Sequence, residues 1–400
     1  MSKTPYFAGR HFLQIPGPTP VPDRIQQAMA RPIMDHRSEE FAQFSAGVLK
    51  SLKDVFKTEN PVIMFPASGT GAWEAALANT LSPGDKIVMF ETGQFSMLWQ
   101  TMAEKLGLSV DYIGSDWRIG VDAAAIAARL DADNTHQIKA VAIVHNETAT
   151  GCCSAVEEVR KALDAAGHPA LLMVDTISSL ACVDYQHDAW GVDVTVCGSQ
   201  KGLMLPPGLS FTAVSDKAFE ASKSSRLASA FFSWEDMLGP NQKGLYPYTP
   251  AITLMYGLEE ALNMLKEEGL DNVFARHAKL ASGVRAAVSA WGLENQCREA
   301  KYYSNAVTSI RMPDGHSADQ FRKLVLENFN MSLGAGLTKV ADKVFRIGHL
   351  GDTNELTIIG ALGGVEMGLE MAGVPHQAGG VDAAMAEFRR WARVDQAAAA

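Results

Sequence analysis

Residues 195–208 read T-V-C-G-S-Q-K-G-L-M-L-P-P-G. The β-branched apolar run at 192–197 predicts a buried strand, and it stops abruptly at Gly198-Ser199-Gln200-Lys201-Gly202. One lysine therefore stands just past a strand end. Such a lysine is either a solvated loop charge, as most lysines are, or an amine kept for chemistry. A second stretch bears on that choice. Residues 170–175, A-L-L-M-V-D, form a short apolar run that ends in one carboxylate, followed by Thr176-Ile177-Ser178-Ser179. The acid and the lysine thus occupy two strand ends.

These are the two groups that a pyridoxal phosphate site requires. The lysine condenses with the cofactor's aldehyde, and the acid keeps the pyridine nitrogen protonated so that the ring can draw in electrons. The remaining composition agrees with a soluble enzyme. The chain has 400 residues, 47% hydrophobic and 20% charged, which suits a large and a small domain with ample core. The formal charge of -10, from 45 acids against 35 bases, argues against a nucleic-acid or membrane-surface partner. There is no apolar run of the ~18 residues that a membrane helix needs. Residues 1–10 lack an apolar segment, so no secretory signal is expected, and the alanine tail matches no address or lipidation signal. None of the five cysteines forms a C-x-x-C pair, which predicts reduced thiols and a cytoplasmic location. No Cys/His cluster has ligand spacing, so no metal is expected.

Working outward, residues 1–16 read as an irregular N-terminal arm. Residues 15–22, I-P-G-P-T-P-V-P, form a stiff extended segment, either a linker or backbone held close to a ligand. Asp35-His36-Arg37 is a cap or a substrate contact, and Ser38 opens a helix to about Lys57. The strand at 61–65 runs into P-A-S-G-T-G and a helix, the geometry that aims backbone N–H groups and a helix dipole at an anion. Glu74 stands where a dinucleotide loop has its last glycine, so a phosphate cradle is the better reading. Strands at 86–90, 109–113, 138–144, 170–175 and 209–214 then alternate with helices, which predicts a mostly parallel α/β sheet. Ligands on such sheets sit beyond the carboxyl ends of the strands. Ser68, Phe95, Thr148, Asp175 and Lys201 all fall there. Residues 222–249 read as a long irregular aromatic loop suited to function or subunit contact. From about 296 the pattern becomes a smaller α+β domain, with residues 334–337 as a turn. The expected division is 1–16, 17–268 and 269–400.

These motifs resemble the class V aminotransferases of pyridoxal phosphate fold type I, and within them the alanine/serine–glyoxylate group. P-G-P-T, S-G-T-G-A-W-E-A, H-N-E-T-A-T-G, V-D-T-I-S-S, C-G-S-Q-K-G-L-M-L-P-P-G and R-I-G-H-L-G follow in the family's order. The resemblance implies that Lys201 is the cofactor-binding lysine and proton carrier, and that Asp175 partners the ring nitrogen. It implies Phe95 as the stacking aromatic, Thr148 beside the ring oxygen, and Ser68, Gly69, Thr70 and Gln200 around the phosphate. Thr70 replaces a histidine found in some relatives. Tyr246 and Thr249 match residues that reach a neighbouring subunit's phosphate, so the resemblance implies a homodimer or larger homo-oligomer with shared sites. Arg346 matches the arginine that takes the substrate carboxylate as a bidentate pair. The implied reaction moves an amino group from an amino acid, L-serine first, to the 2-oxo acid glyoxylate. Aspartate and alanine are the alternative donors, and Arg37 and Arg226 are the candidates for a second carboxylate. A lyase or desulfurase of the same fold would need a mobile nucleophilic cysteine, and Cys297 is the one candidate in the small domain.

Overall fold

The structure, a computed structural model, describes residues 7–399; residues 1–6 of the expected arm and Ala400 lie outside the described residues. In chain order the strands are β1 (Phe12–Gln14), β2 (Val62–Phe65), β3 (Lys86–Phe90), β4 (Ser109–Ile113), β5 (Ile138–Val144), β6 (Asn146–Glu147), β7 (Cys152–Cys153), β8 (Leu171–Asp175), β9 (Val194–Gly198), β10 (Ser210–Val214), β11 (Glu294–Asn295), β12 (Val307–Arg311), β13 (Met331–Ala335) and β14 (Val344–Gly348). The large sheet runs β2-β10-β9-β8-β5-β3-β4, and only β10 is antiparallel to its neighbours. The register pairs Val144 with Asp175 and Asp175 with Val196, so neighbouring strands end level.

Helices cover both faces, which is why β8 and β9 are buried along their whole length. One face packs against helices Glu39–Phe56 and Ile252–Glu268, with Phe41, Leu52, Val141 and Leu172 in its core. The other packs Trp73 and Trp99, from helices Gly69–Thr80 and Gln94–Lys105, against Ile87 and Val196. The helix that opens at Ser38 forms because the Ser38 hydroxyl accepts from the Phe41 N–H at 3.0 Å, with Glu39 and Glu40 in its first turn. It stops where Lys57 turns left-handed at φ 51°. No helix among the described residues is long and apolar enough to cross a membrane.

The second sheet runs β1-β13-β14-β12-β11 and has its own core, which includes Phe321, Phe345 and Leu362. Three expectations need correction here. The arm is not irregular throughout, because Phe12, Leu13 and Gln14 pair in parallel with Met331, Ser332 and Leu333. A three-residue strand whose partner lies at the other end of the chain leaves no local pattern. Residues 334–337 are not simply a turn, since Gly334 and Ala335 finish β13 opposite Arg346 and Phe345. There the antiparallel partner overrides the turn preference of glycine. Residues 222–249 contain helix Trp234–Asn241, capped by Ser233 and buried through Trp234 and Met237. The helices Asp23–Met29 and Gly380–Ala399 were also not anticipated.

Candidate active site

The level strand ends bring the dispersed motifs to one cavity of about 220 Å³. Ser68 arrives after β2, Phe95 after β3, Thr148 after β5, Asp175 at the end of β8 and Lys201 after β9, and all five line it. Gly69, Thr70 and Gln200 line it too.

Asp175 lies at the floor. Its Oδ2 accepts from the indole Nε1 of Trp73 at 2.9 Å and its Oδ1 from the Ile177 N–H at 2.7 Å. Burial pushes its carboxyl up to about 7, while those donors and the Lys201 charge pull it back. Lys201 is buried as well. Burial brings its amine down to about 8, the nearby Arg346 charge adds to that, and Asp175 opposes it. The ammonium donates to the carbonyl of Pro16. The stiff segment 15–22 is therefore backbone held at the site. Gly17 has φ +101°, and a Cβ there would come 2.3 Å from Lys201 Cδ, so only glycine fits beside the lysine. Thr19 completes the seam, its N–H donating to the Gln200 carbonyl at 3.1 Å and its hydroxyl to the Lys201 carbonyl at 3.3 Å.

Helix Gly69–Thr80 starts at the cavity wall. Ser68 stands at its N-cap without a capping side-chain bond, and no acid occupies the first turn. The Gly71 N–H donates to the Ser68 carbonyl at 2.8 Å, and the N–H groups of Gly69 and Thr70, with the positive dipole end, are left for an anion. Gln200 also lines this wall, and its side-chain Nε2–H groups, not its Oε1, are the donors that could meet an anion. These unspent groups fit a phosphate, the buried acid and amine fit a pyridine nitrogen and an aldehyde, and Phe95 offers an aromatic wall between them. The site therefore fits pyridoxal phosphate. Thr148 Oγ1 and Ser178 Oγ share a hydrogen bond at 2.5 Å beside the same cavity.

Arg346, on β14, reaches in from the small sheet but does not line the cavity. Its Nε donates to the Ala335 carbonyl at 2.7 Å and its Nη1 to the Thr148 carbonyl at 2.9 Å, which fixes the guanidinium directly behind Thr148. The structure does not bring the remaining candidates to the cavity. Tyr246 packs edge-on against Phe41 with its hydroxyl 3.4 Å from Ser45 Oγ, and Thr249 is exposed. Arg37 and Arg226 are exposed side chains as well. Cys297 is buried with Cys152 and Tyr302, outside the cavity's lining.

Sequence reasoning offered Pro16 and Gly17 as one of two readings of their segment, and it missed Trp73 and Glu147. Trp73 was readable, since it lies one helical turn past the S-G-T-G loop. Glu147 is wholly buried, its carboxyl pushed up to about 7 by burial, and nothing in H-N-E-T signals that.

Known proteins resemble this chain along most of its length. Residues 17–349 match the family model described as aminotransferase class-V. The chain is 51% identical to a serine–glyoxylate aminotransferase of Hyphomicrobium methylovorum, over 94% of each protein. It is 45% identical to an L-aspartate–glyoxylate aminotransferase of Paracoccus denitrificans, over 96% of this chain and 98% of that protein. Among solved structures, an alanine–glyoxylate aminotransferase from Nostoc sp. superposes with a TM-score of 0.84 at 30% identity, covering 92% of this chain and 98% of that one. The acid–lysine pair, the anion cradle and the family match over residues 17–349 together place this chain in the class V aminotransferases, enzymes that depend on pyridoxal phosphate.

Proposed function

We propose that the chain transfers the amino group of L-serine to glyoxylate, giving hydroxypyruvate and glycine. One observation carries the choice of donor. Among the described residues Lys201 is the only cation that lines the cavity, Arg346 stands behind its Thr148 wall, and each has a task. Arg346 meets the carboxylate that every donor and acceptor shares. A second carboxylate, as on aspartate, then has no counter-charge among the groups this chain brings to its own cavity, and Arg37 and Arg226, exposed and outside the lining, could supply one only from a partner subunit. A buried unpaired carboxylate is costly, whereas a hydroxymethyl group needs only a hydroxyl partner. The serine–glyoxylate relative supports the same reading.

Bound pyridoxal phosphate supplies an electrophilic aldehyde and an electron-withdrawing ring. The chain's own residues do the rest. Asp175 is the carboxylate that would hold the ring nitrogen and keep it protonated. Lys201 Nζ, with its amine brought down to about 8, is neutral often enough near neutral pH to take the proton from the substrate's Cα and return it. Arg346, pinned by two carbonyls, orients the substrate so that this proton faces the amine.

The reading extends to assembly and location. Tyr246 and Thr249 lie away from their own cavity, which suits a homodimer in which they serve the partner's phosphate. A cytoplasmic location fits five unpaired cysteines. The deciding experiment is kcat/KM for serine, alanine and aspartate, each with glyoxylate as acceptor. Serine is expected to lead. Aspartate ahead by about tenfold or more would overturn the donor, and activity with 2-oxoglutarate but none with glyoxylate would overturn the acceptor.

A further inference from the structure

The mechanism above leaves Glu147 unused, although it is a wholly buried carboxylate beside the cavity. Its Oε2 accepts from the N–H groups of Phe95 at 3.1 Å and Ser96 at 3.2 Å, in the first turn of helix Gln94–Lys105. Its Oε1 accepts from the Ala149 N–H at 3.0 Å. All three partners donate, so the contacts hold the ionised form. A negative charge at a helix N-terminus is also favoured by the dipole.

One carboxylate thus fastens two segments that carry active groups. Phe95 presents its ring to the cavity from that first helical turn. Ala149 follows Thr148, whose carbonyl holds Arg346. Gly93 lies against the same carboxylate, where a Cβ would come 2.5 Å from Glu147 Cγ and 2.6 Å from Cδ. We propose that Glu147 is a positioning residue for transamination, its carboxylate setting the Phe95 ring against the cofactor and the Thr148 carbonyl against Arg346. This rests on the cavity being the pyridoxal phosphate site.

The test titrates pyridoxal phosphate into apoenzyme and follows intrinsic fluorescence. Wild-type apoenzyme that takes up no cofactor would sink the cofactor reading itself. Given wild-type binding, Glu147→Gln is expected to raise the dissociation constant about fivefold or more, because one end of the bridge becomes a donor facing the Ala149 N–H. Gly93→Ala is expected to do the same by displacing the carboxylate. It adds no backbone strain, since Gly93 is extended at φ 163°, and it reads the proposal if the Gln variant fails to fold. Phe95→Leu closes a cycle. If Glu147 acts through Phe95, the double variant binds within about twofold of the weaker single variant. In the loaded enzyme KM for serine and for glyoxylate should rise together, because both carboxylates meet Arg346. Either of two results overturns the proposal: losses that multiply in the double variant, or less folded protein with affinity and KM per site unchanged.

Discussion

Replacing Trp73 by Phe tests the electrostatics of the site at one bond. The indole Nε1–H donates to Asp175 Oδ2 at 2.9 Å, with both groups buried. A phenyl ring keeps the helix face and most of the stacking on Trp99, whose ring centroid lies 5.9 Å away. It removes the donor and nothing else polar. A hydrogen bond to a charged group is worth ~1.5–3 kcal/mol. Taking it from the ionised form makes protonation of Asp175 about 10- to 150-fold more favourable. Burial pushes the Asp175 carboxyl up and the Trp73 donor pulls it back, so losing that donor raises it further and favours its protonation. Activity requires that carboxylate. The acidic limb of the kcat/KM profile for serine should therefore move to higher pH, and the loss should be greatest on the acid side. The assay is the pH profile of both enzymes, with circular dichroism as the check on fold. An acidic limb that stays in place in a folded, cofactor-loaded variant would refute the reasoning, because Asp175 would then not depend on Trp73.

Two further outcomes follow from buried charge and from the distant tyrosine. Burial pushes the carboxyls of Glu147 and Asp175 up to about 7 in the folded protein, from ordinary values of 4.5 and 3.8. The folded apoenzyme thus binds more protons than the unfolded chain across that window, and these groups cost stability as pH rises through it. Asp175→Asn should reduce that loss by up to ~1.4 kcal/mol per pH unit in denaturant titrations at pH 5, 6 and 7, and an unchanged slope would count against it. Tyr246→Phe should weaken cofactor affinity by ~1.5–3 kcal/mol while barely changing apoenzyme stability, since its bond to Ser45 is long at 3.4 Å. Unchanged affinity, or an active monomer in sedimentation, would exclude the shared site.

Much of this architecture is legible residue by residue. Apolar runs such as 138–144 and 170–175 end in polar or small residues, and a parallel sheet turns those ends into one location. Asp175 and Lys201 are readable for that reason alone. The helix at Ser38 is readable because its cap and its acids are local. Contacts between distant segments leave no such mark. Phe12–Gln14 becomes a strand only through β13, and Gly334-Ala335 reads as a turn until β14 pairs with it. The bond from Lys201 to Pro16 and the three N–H groups on Glu147 are tertiary in the same sense. Helix Trp234–Asn241 was hidden by its own Gly239 and Pro240.

The seam from β1 to Thr19 bears on how the enzyme is made. His11 bonds Asn330 across 319 positions, and a few residues later the same segment reaches Lys201 and Gln200. This segment leaves the ribosome 319 positions ahead of its strand partner. A chain still being translated can assemble the large sheet and leave the reactive amine without its carbonyl and its glycine lid. Non-local pairing of this kind slows the final step of folding. The nascent enzyme therefore stays chemically unfinished until β13 has been made and has captured β1.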